Sequence, residues 1–181
     1  MPGLRPTYPL ETERLRLRPH APEDLDDLLV FHSDPEVVRF IPWPVRDRAA
    51  TQEALAAKLP RGTIEAPGQW LVLAVELRET GRVIGEVLLK WVSAEDREGE
   101  LGFAFARGHH GRGYAAEAAR AMLRLGFQEL GLRRITAVCI EGNEASARLL
   151  RRLGFSQESR SDVVFKDVRV AQLVFARTAD E

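Results

Sequence analysis

Residues 100–117 read Glu100-Leu101-Gly102-Phe103-Ala104-Phe105-Ala106-Arg107-Gly108-His109-His110-Gly111-Arg112-Gly113-Tyr114-Ala115-Ala116-Glu117. Glu100 to Ala106 alternates large apolar with small or acidic side chains, the period of a strand. Leu101, Phe103 and Phe105 share one face, and Glu100, Gly102 and Ala104 the other. Gly111 and Gly113 flank a single arginine where the chain must change direction, and Tyr114 to Leu130 then reads as a helix closed by Gly131. The first amides of such a helix have no partner within it and point back at the turn. With the positive end of the helix dipole they form an anion site suited to phosphate.

Working outward from this stretch, Arg134 to Ile140 is the next strand. Strand, helix, strand over Glu100 to Ile140 is a crossover and demands a parallel pair. Upstream, Trp70 to Leu77 and Val83 to Trp91 form a hairpin around Glu79-Thr80-Gly81-Arg82. The sheet therefore changes from antiparallel to parallel at the Glu100 strand and leaves its carboxyl end open, where ligands bind. Arg14 to Arg18 alternates as a strand, Leu25 to Ser33 is helical, Asp34-Pro35-Glu36 starts a short helix, and Asp47 to Leu59 is a third. Glu144 to Leu153 is a helix closed by Gly154, and Phe155 to Arg160 and Val163 to Ala176 read as a final pair of strands. The expected architecture is one mixed α/β domain over residues 11–177, with an arm at 1–10 and a tail at 178–181.

A chain of 181 residues is long enough for one well-buried domain. A net charge of -1 gives no basic excess for a nucleic-acid partner. Lysine occurs only at Lys58, Lys90 and Lys166, so arginine carries nearly all the positive charge. The single cysteine, Cys139, excludes an internal disulfide and lies in an apolar strand as a core residue. His109 and His110 lack a third ligand at metal-site spacing. No stretch resembles a signal peptide or a membrane span, so the expected location is the cytoplasm.

Gly111-Arg112-Gly113-Tyr114-Ala115-Ala116 formally fits the dinucleotide fingerprint. The candidate for the acidic residue expected about 20 positions on is Glu141, which lies later than expected, and some 100 residues precede the one visible crossover. An NAD-binding protein is a remote reading. No Gly-Lys-Ser/Thr follows, which excludes a P-loop. His110-Gly111-Arg112-Gly113-Tyr114-Ala115 instead resembles the Gln/Arg-x-x-Gly-x-Gly/Ala motif of the GNAT superfamily of N-acetyltransferases, with His110 departing from the usual first residue. Asn143 to Ser146 leading into Leu153-Gly154-Phe155 is similar to the signature of its ribosomal-protein N-acetyltransferase branch, the RimJ/RimL type. Glu13-Arg14-Leu15-Arg16-Leu17-Arg18, Ser33-Asp34-Pro35-Glu36-Val37 and Asp167 before an apolar strand agree in the same order.

The resemblance implies a GNAT fold, a mixed antiparallel and parallel sheet of about seven strands flanked by helices. The sheet splays at a V around acetyl-CoA, whose pantetheine arm adds like a short strand. It implies a cofactor site of Phe105, Ala106, His110, Gly111, Arg112, Gly113, Tyr114, Ala115 and Asn143. Glu100 becomes a candidate general base for the amine, set against a solvated rim acid such as Glu98. Ser146 becomes a candidate donor to the departing thiolate, set against a plain first-turn polar residue. Asn143 also suits an ordinary helix N-cap. Trp43, in Ile41-Pro42-Trp43-Pro44, is expected either to wall the acceptor site or to pack. The implied activity is acetyl transfer to a primary amine, a protein N-terminus or a small molecule, by direct attack, with strand amides near Phe105 polarising the carbonyl. The protein would act as a monomer or homodimer. A non-catalytic acyl-CoA-binding module on the same fold is the alternative.

Overall fold

A computed structural model describes residues 2–179 of the chain, so residues 180 and 181 of the expected tail lie outside the described residues. The elements follow in the order β1 (Leu10–Glu11), β2 (Leu15–Pro19), α1 (Leu25–His32), α2 (Pro35–Val38), α3 (Arg48–Lys58), β3 (Trp70–Leu77), β4 (Val83–Ser93) and β5 (Glu98–Phe105). Then come α4 (Tyr114–Arg124), β6 (Arg134–Ile140), α5 (Glu144–Arg152), β7 (Ser156–Phe165) and β8 (Val168–Thr178). The sheet has eight strands in the order β1-β2-β3-β4-β5-β6-β8-β7. The expectation of about seven misses β1. Part of the expected arm is in fact built into the fold: Leu10 and Glu11 pair with Leu17 and Arg16, and buried Leu4 bridges Ile64.

Every neighbouring pair is antiparallel except β5 with β6. That parallel pair is short, matching Glu98, Gly99 and Glu100 with Arg134, Ile135 and Thr136 and no further. Beyond Glu100 and Thr136 the strands part, which opens the expected V. Helices α1 and α3 cover one face, where Leu28, Phe31 and Leu55 pack against Ala74, Ala104 and Ala106. The larger core lies on the other face, where Ala118, Ala119 and Met122 of α4 and Leu149 and Leu150 of α5 meet Leu89, Phe105, Ile135 and Phe175. Helix α4 keeps its α form only to Arg124 and finishes as a π-helical turn over Leu125–Glu129 before Gly131, at φ +75°.

Candidate active site

The open edge of β5 follows from strand alternation. The Ala106 N–H donates to the Ile84 carbonyl at 2.9 Å, so Ala106 faces β4. Successive residues face opposite edges, so Phe103 and Phe105 face β6, where β6 has diverged. The Ala106 carbonyl also accepts from His109 N–H at 2.9 Å, so both main-chain groups of this expected cofactor residue are engaged within the protein. Phe105 differs. Its carbonyl accepts from His110 Nε2 at 2.8 Å, and its N–H has no partner among the described residues. His110 therefore links the end of β5 to the glycine turn.

That turn is built on left-handed backbone, with φ +73° at Gly111 and +82° at Gly113. Residues with a Cβ rarely adopt such angles. Gly113 is the N-cap of α4 and offers no side chain to cap it. The first helical bond there is Glu117 N–H to the Gly113 carbonyl at 3.0 Å. The amides of residues 111 to 116 have no partner among the described residues, which leaves six consecutive donors beside the open edge of β5. The exposed Arg112 side chain forms no ion pair among the described residues, whereas the Tyr114 ring is buried. The arrangement is an anion cradle made of main chain.

Glu100 occupies the fork of the V, the last matched position of β5 with β6, beside Lys90 of β4. It is half-buried and has neither hydrogen bond nor ion pair among the described residues. Glu98, two residues earlier on the same strand face, is bound to Arg134 at 2.8 Å. Across the V, Asn143 caps α5, its Oδ1 accepting from Ser146 N–H at 3.2 Å. Half-buried Ser146 stands beside Cys139. Burial pushes the Cys139 thiol up, and the Ser146 hydroxyl opposes that shift. Thus Phe105, the glycine turn, Asn143 and Ser146 gather at the carboxyl ends of β5 and β6, with Glu100 deeper between the strands at the fork.

The family model for the acetyltransferase (GNAT) domain matches residues 14–156. The chain belongs to the GNAT acetyltransferase family. It is 33% identical over 150 residues to the uncharacterized N-acetyltransferase p20 of Bacillus licheniformis, covering 82% of this chain and 83% of that one. It is 30% identical over 149 residues, at the same coverages, to the uncharacterized N-acetyltransferase YoaA of Bacillus subtilis. Among solved structures, a GNAT-family acetyltransferase from Bacillus anthracis superposes with a TM-score of 0.83 at 24% identity, covering 93% of this chain and 96% of that one. The self-immunity acetyltransferase MccE, solved in complex with acetyl-CoA and AMP, superposes at 0.78 with 15% identity, covering 93% and 94%.

Three features of this GNAT acetyltransferase escape sequence reasoning. Arg14 and Glu117 join the start of β2 to the start of α4. Helix α2 is tied across the mouth of the V. Its N-cap Asp34 pairs with Arg107 after β5 at 3.1 Å, and its Val38 carbonyl accepts from Lys166 Nζ, in the β7–β8 turn, at 2.7 Å. Lastly, Glu86 is buried beneath α1 and α3 against Lys58, His20 and His32. Its one sequence signal is an acid at an inward position of the apolar run Val83-Ile84-Gly85-Glu86-Val87-Leu88-Leu89. Trp43 lies over this cluster, its ring 4.7 Å from the Arg46 guanidinium, 5.6 Å from Lys58 Nζ and 5.7 Å from the His32 ring. No group of three His, Cys, Asp or Glu side chains among the described residues is arranged to hold a metal ion, and no helix among them is long and apolar enough to cross a membrane.

Proposed function

We propose that this GNAT acetyltransferase moves the acetyl group of acetyl-CoA to a primary amine by direct attack of the amine. The observation that carries the reading is the run of six unpartnered amides at residues 111–116, continuous with the free Phe105 N–H on the open edge of β5. A pyrophosphate fits donors that come from main chain at a helix start, because it offers many acceptor oxygens and two negative charges to the helix dipole. The pantetheine amides fit an unpaired strand edge. Bound there, acetyl-CoA supplies an activated acyl group. The chain supplies the rest. Main-chain donors orient the thioester, Glu100 takes the proton of the amine directly or through water, and Ser146 donates toward the departing sulfur.

An unpaired half-buried carboxylate at the fork favours catalysis over mere acyl-CoA binding, because a binding module has no need to leave that charge without a partner. Asn143, Ser146 and Leu153-Gly154-Phe155 favour the RimJ/RimL-type branch, and with it a peptide N-terminus among the acceptors. The same reading places the protein in the cytoplasm.

Thermal unfolding with ligands tests the donor. CoA at about 100 times its Kd adds about 2.7 kcal/mol, or about 5–10 °C in Tm for a chain of this size. NAD should add nothing. A shift with NAD and none with CoA would sink the assignment. Release of free CoA thiol across a panel of peptides and small amines then tests transfer.

A further inference from the structure

The glycine turn has a second side. β2 runs opposite to β5, because β2, β3, β4 and β5 are successively antiparallel. The start of β2 therefore lies on the same edge of the sheet as the carboxyl end of β5, and it approaches the turn from the flank away from β6 and the V. Arg14 stands at that start. Its guanidinium makes contacts in two directions. Nε donates to Glu117 Oε2 at 2.8 Å, and Nη1 donates to the Arg112 carbonyl at 2.9 Å. The plane lies over the Tyr114 ring, 4.5 Å from its centroid.

Glu117 holds this arginine from the first turn of α4. Its Oε1 also accepts from Arg14 N–H at 2.8 Å and from Thr12 Oγ1 at 2.6 Å. Burial works to raise the pKa of Glu117, and the bonds from Thr12 and Arg14 outweigh it, so the carboxylate stays charged. Arg14 thus reaches the turn already anchored.

The consequence lies in the Arg112–Gly113 peptide. In a trans peptide the C=O and N–H point in opposite directions. A guanidinium that holds the Arg112 carbonyl on the β2 side turns the Gly113 N–H to the other side, toward the V, where it has no partner among the described residues. A Cβ on Gly113 would come within 3.2 Å of Arg14 Nη2, so the arginine packs directly against the turn. We propose that Arg14 is a positioning residue that fixes the Arg112–Gly113 peptide with its N–H aimed at the cofactor phosphate, anchored in turn by Glu117. The turn is then ordered before the cofactor arrives, and binding does not bear the cost of ordering it. This inference rests on acetyl-CoA being the donor.

Calorimetric titration of the full-length protein with CoA tests it, using wild type, Arg14→Lys, Arg14→Ala and Glu117→Gln. Lysine keeps the charge but lacks a planar fork that can hold Glu117 and the Arg112 carbonyl together. Arg14→Lys should therefore weaken CoA binding at least tenfold, about 1.4 kcal/mol, and Arg14→Ala at least as much. Glu117→Gln, which keeps an acceptor for Thr12 and the Arg14 N–H, should weaken it less. The Gly113 amide of the free protein, followed by NMR relaxation, should show a lower order parameter in Arg14→Lys. That readout needs no ligand and distinguishes positioning from a direct charge contact. Wild-type affinity and order parameter in Arg14→Lys would overturn the proposal, as would weakened affinity with an unchanged order parameter. Absence of CoA binding by wild type would instead sink the donor assignment. If Arg14→Ala fails to fold, Arg14→Lys decides alone.

Discussion

Glu98 and Glu100 share a strand face and differ in one respect that chemistry can use. Arg134 neutralises Glu98 at the closed base of the V, whereas Glu100 reaches the fork without an ion pair among the described residues. An amine acceptor arrives largely as ammonium near neutral pH and must lose a proton before or during attack. A positioned base typically contributes about 10²–10⁴-fold. Glu100→Gln should therefore lower kcat/KM about 100-fold near pH 7. The deficit should shrink toward alkaline pH, where the amine is already neutral. Glu98→Gln should leave that pH profile unchanged, since it removes only one of the two acids, Glu98 and Glu158, that pair with Arg134. Matching profiles for wild type and Glu100→Gln in steady-state rates would remove Glu100 from the role. Glu100 is legible in the sequence as the first residue of its strand, and Glu98 as a rim acid on the same face. Which of them is free is not, because Arg134 lies 36 positions beyond Glu98 and meets it only through the parallel pairing.

Among the elements, the crossover was the most legible, since glycine, helix periodicity and apolar strands all act locally. Helix α4 and strands β3 and β6 start where the sequence reading puts them. The last hairpin was less so. The polar run Arg160-Ser161-Asp162 resembles a break between strands, yet the chain continues through it to Phe165 and turns at Lys166 and Asp167, with φ +49° and +63°. Two successive left-handed residues give the twist a tight hairpin needs, and exposure of β7 tolerates the polar residues within it. This longer hairpin is what carries Lys166 to the carbonyl of Val38. With Asp34 tied to Arg107, α2 is pinned at both ends across the mouth of the V, on the face of Glu100. Removing the tie by Lys166→Ala forfeits one partly exposed hydrogen bond, about 1 kcal/mol or less. The expected result is a several-fold change in KM for the acceptor, with CoA affinity and Tm close to wild type. An equal loss of CoA affinity would show that α2 serves the cofactor side instead.

The whole molecule is held to its amino-terminal helices by charge as well as by apolar packing. Glu86 lies on the sheet face between Ala74 and Ala104, with His20 and His32 each 3.5 Å away and Lys58 in direct contact. Burial alone would raise the Glu86 pKa, but the Lys58 ammonium and the two histidines more than offset it and hold it well below the usual carboxylate range. Burial lowers His32 below its usual 6.5, and the charges of Lys58 and Arg46 add to that, against the opposing pull of Glu86. For Asp24, burial is outweighed by the nearby His20 ring and by the bonds from Arg18 and the Ala21 amide, and its pKa also falls. All three groups resist protonation more in the folded chain than in the unfolded one. The unfolded state therefore binds more protons on acidification, and stability must fall with pH. The loss should begin near pH 6.5 through His32 and steepen below about 4.5, where unfolded Glu86 and then Asp24 take up protons. Glu86→Gln sharpens the test. At pH 7 it leaves Lys58 buried without a counter-charge and should cost about 3–5 kcal/mol. As the pH falls toward 4 the gap to wild type should narrow, because the variant has no carboxylate left to protonate at that position. Urea unfolding at pH 7, 5 and 4 reads both curves. A gap that stays constant with pH would mean that Glu86 holds the helices by packing and hydrogen bonding alone, and that its charge contributes nothing to the fold.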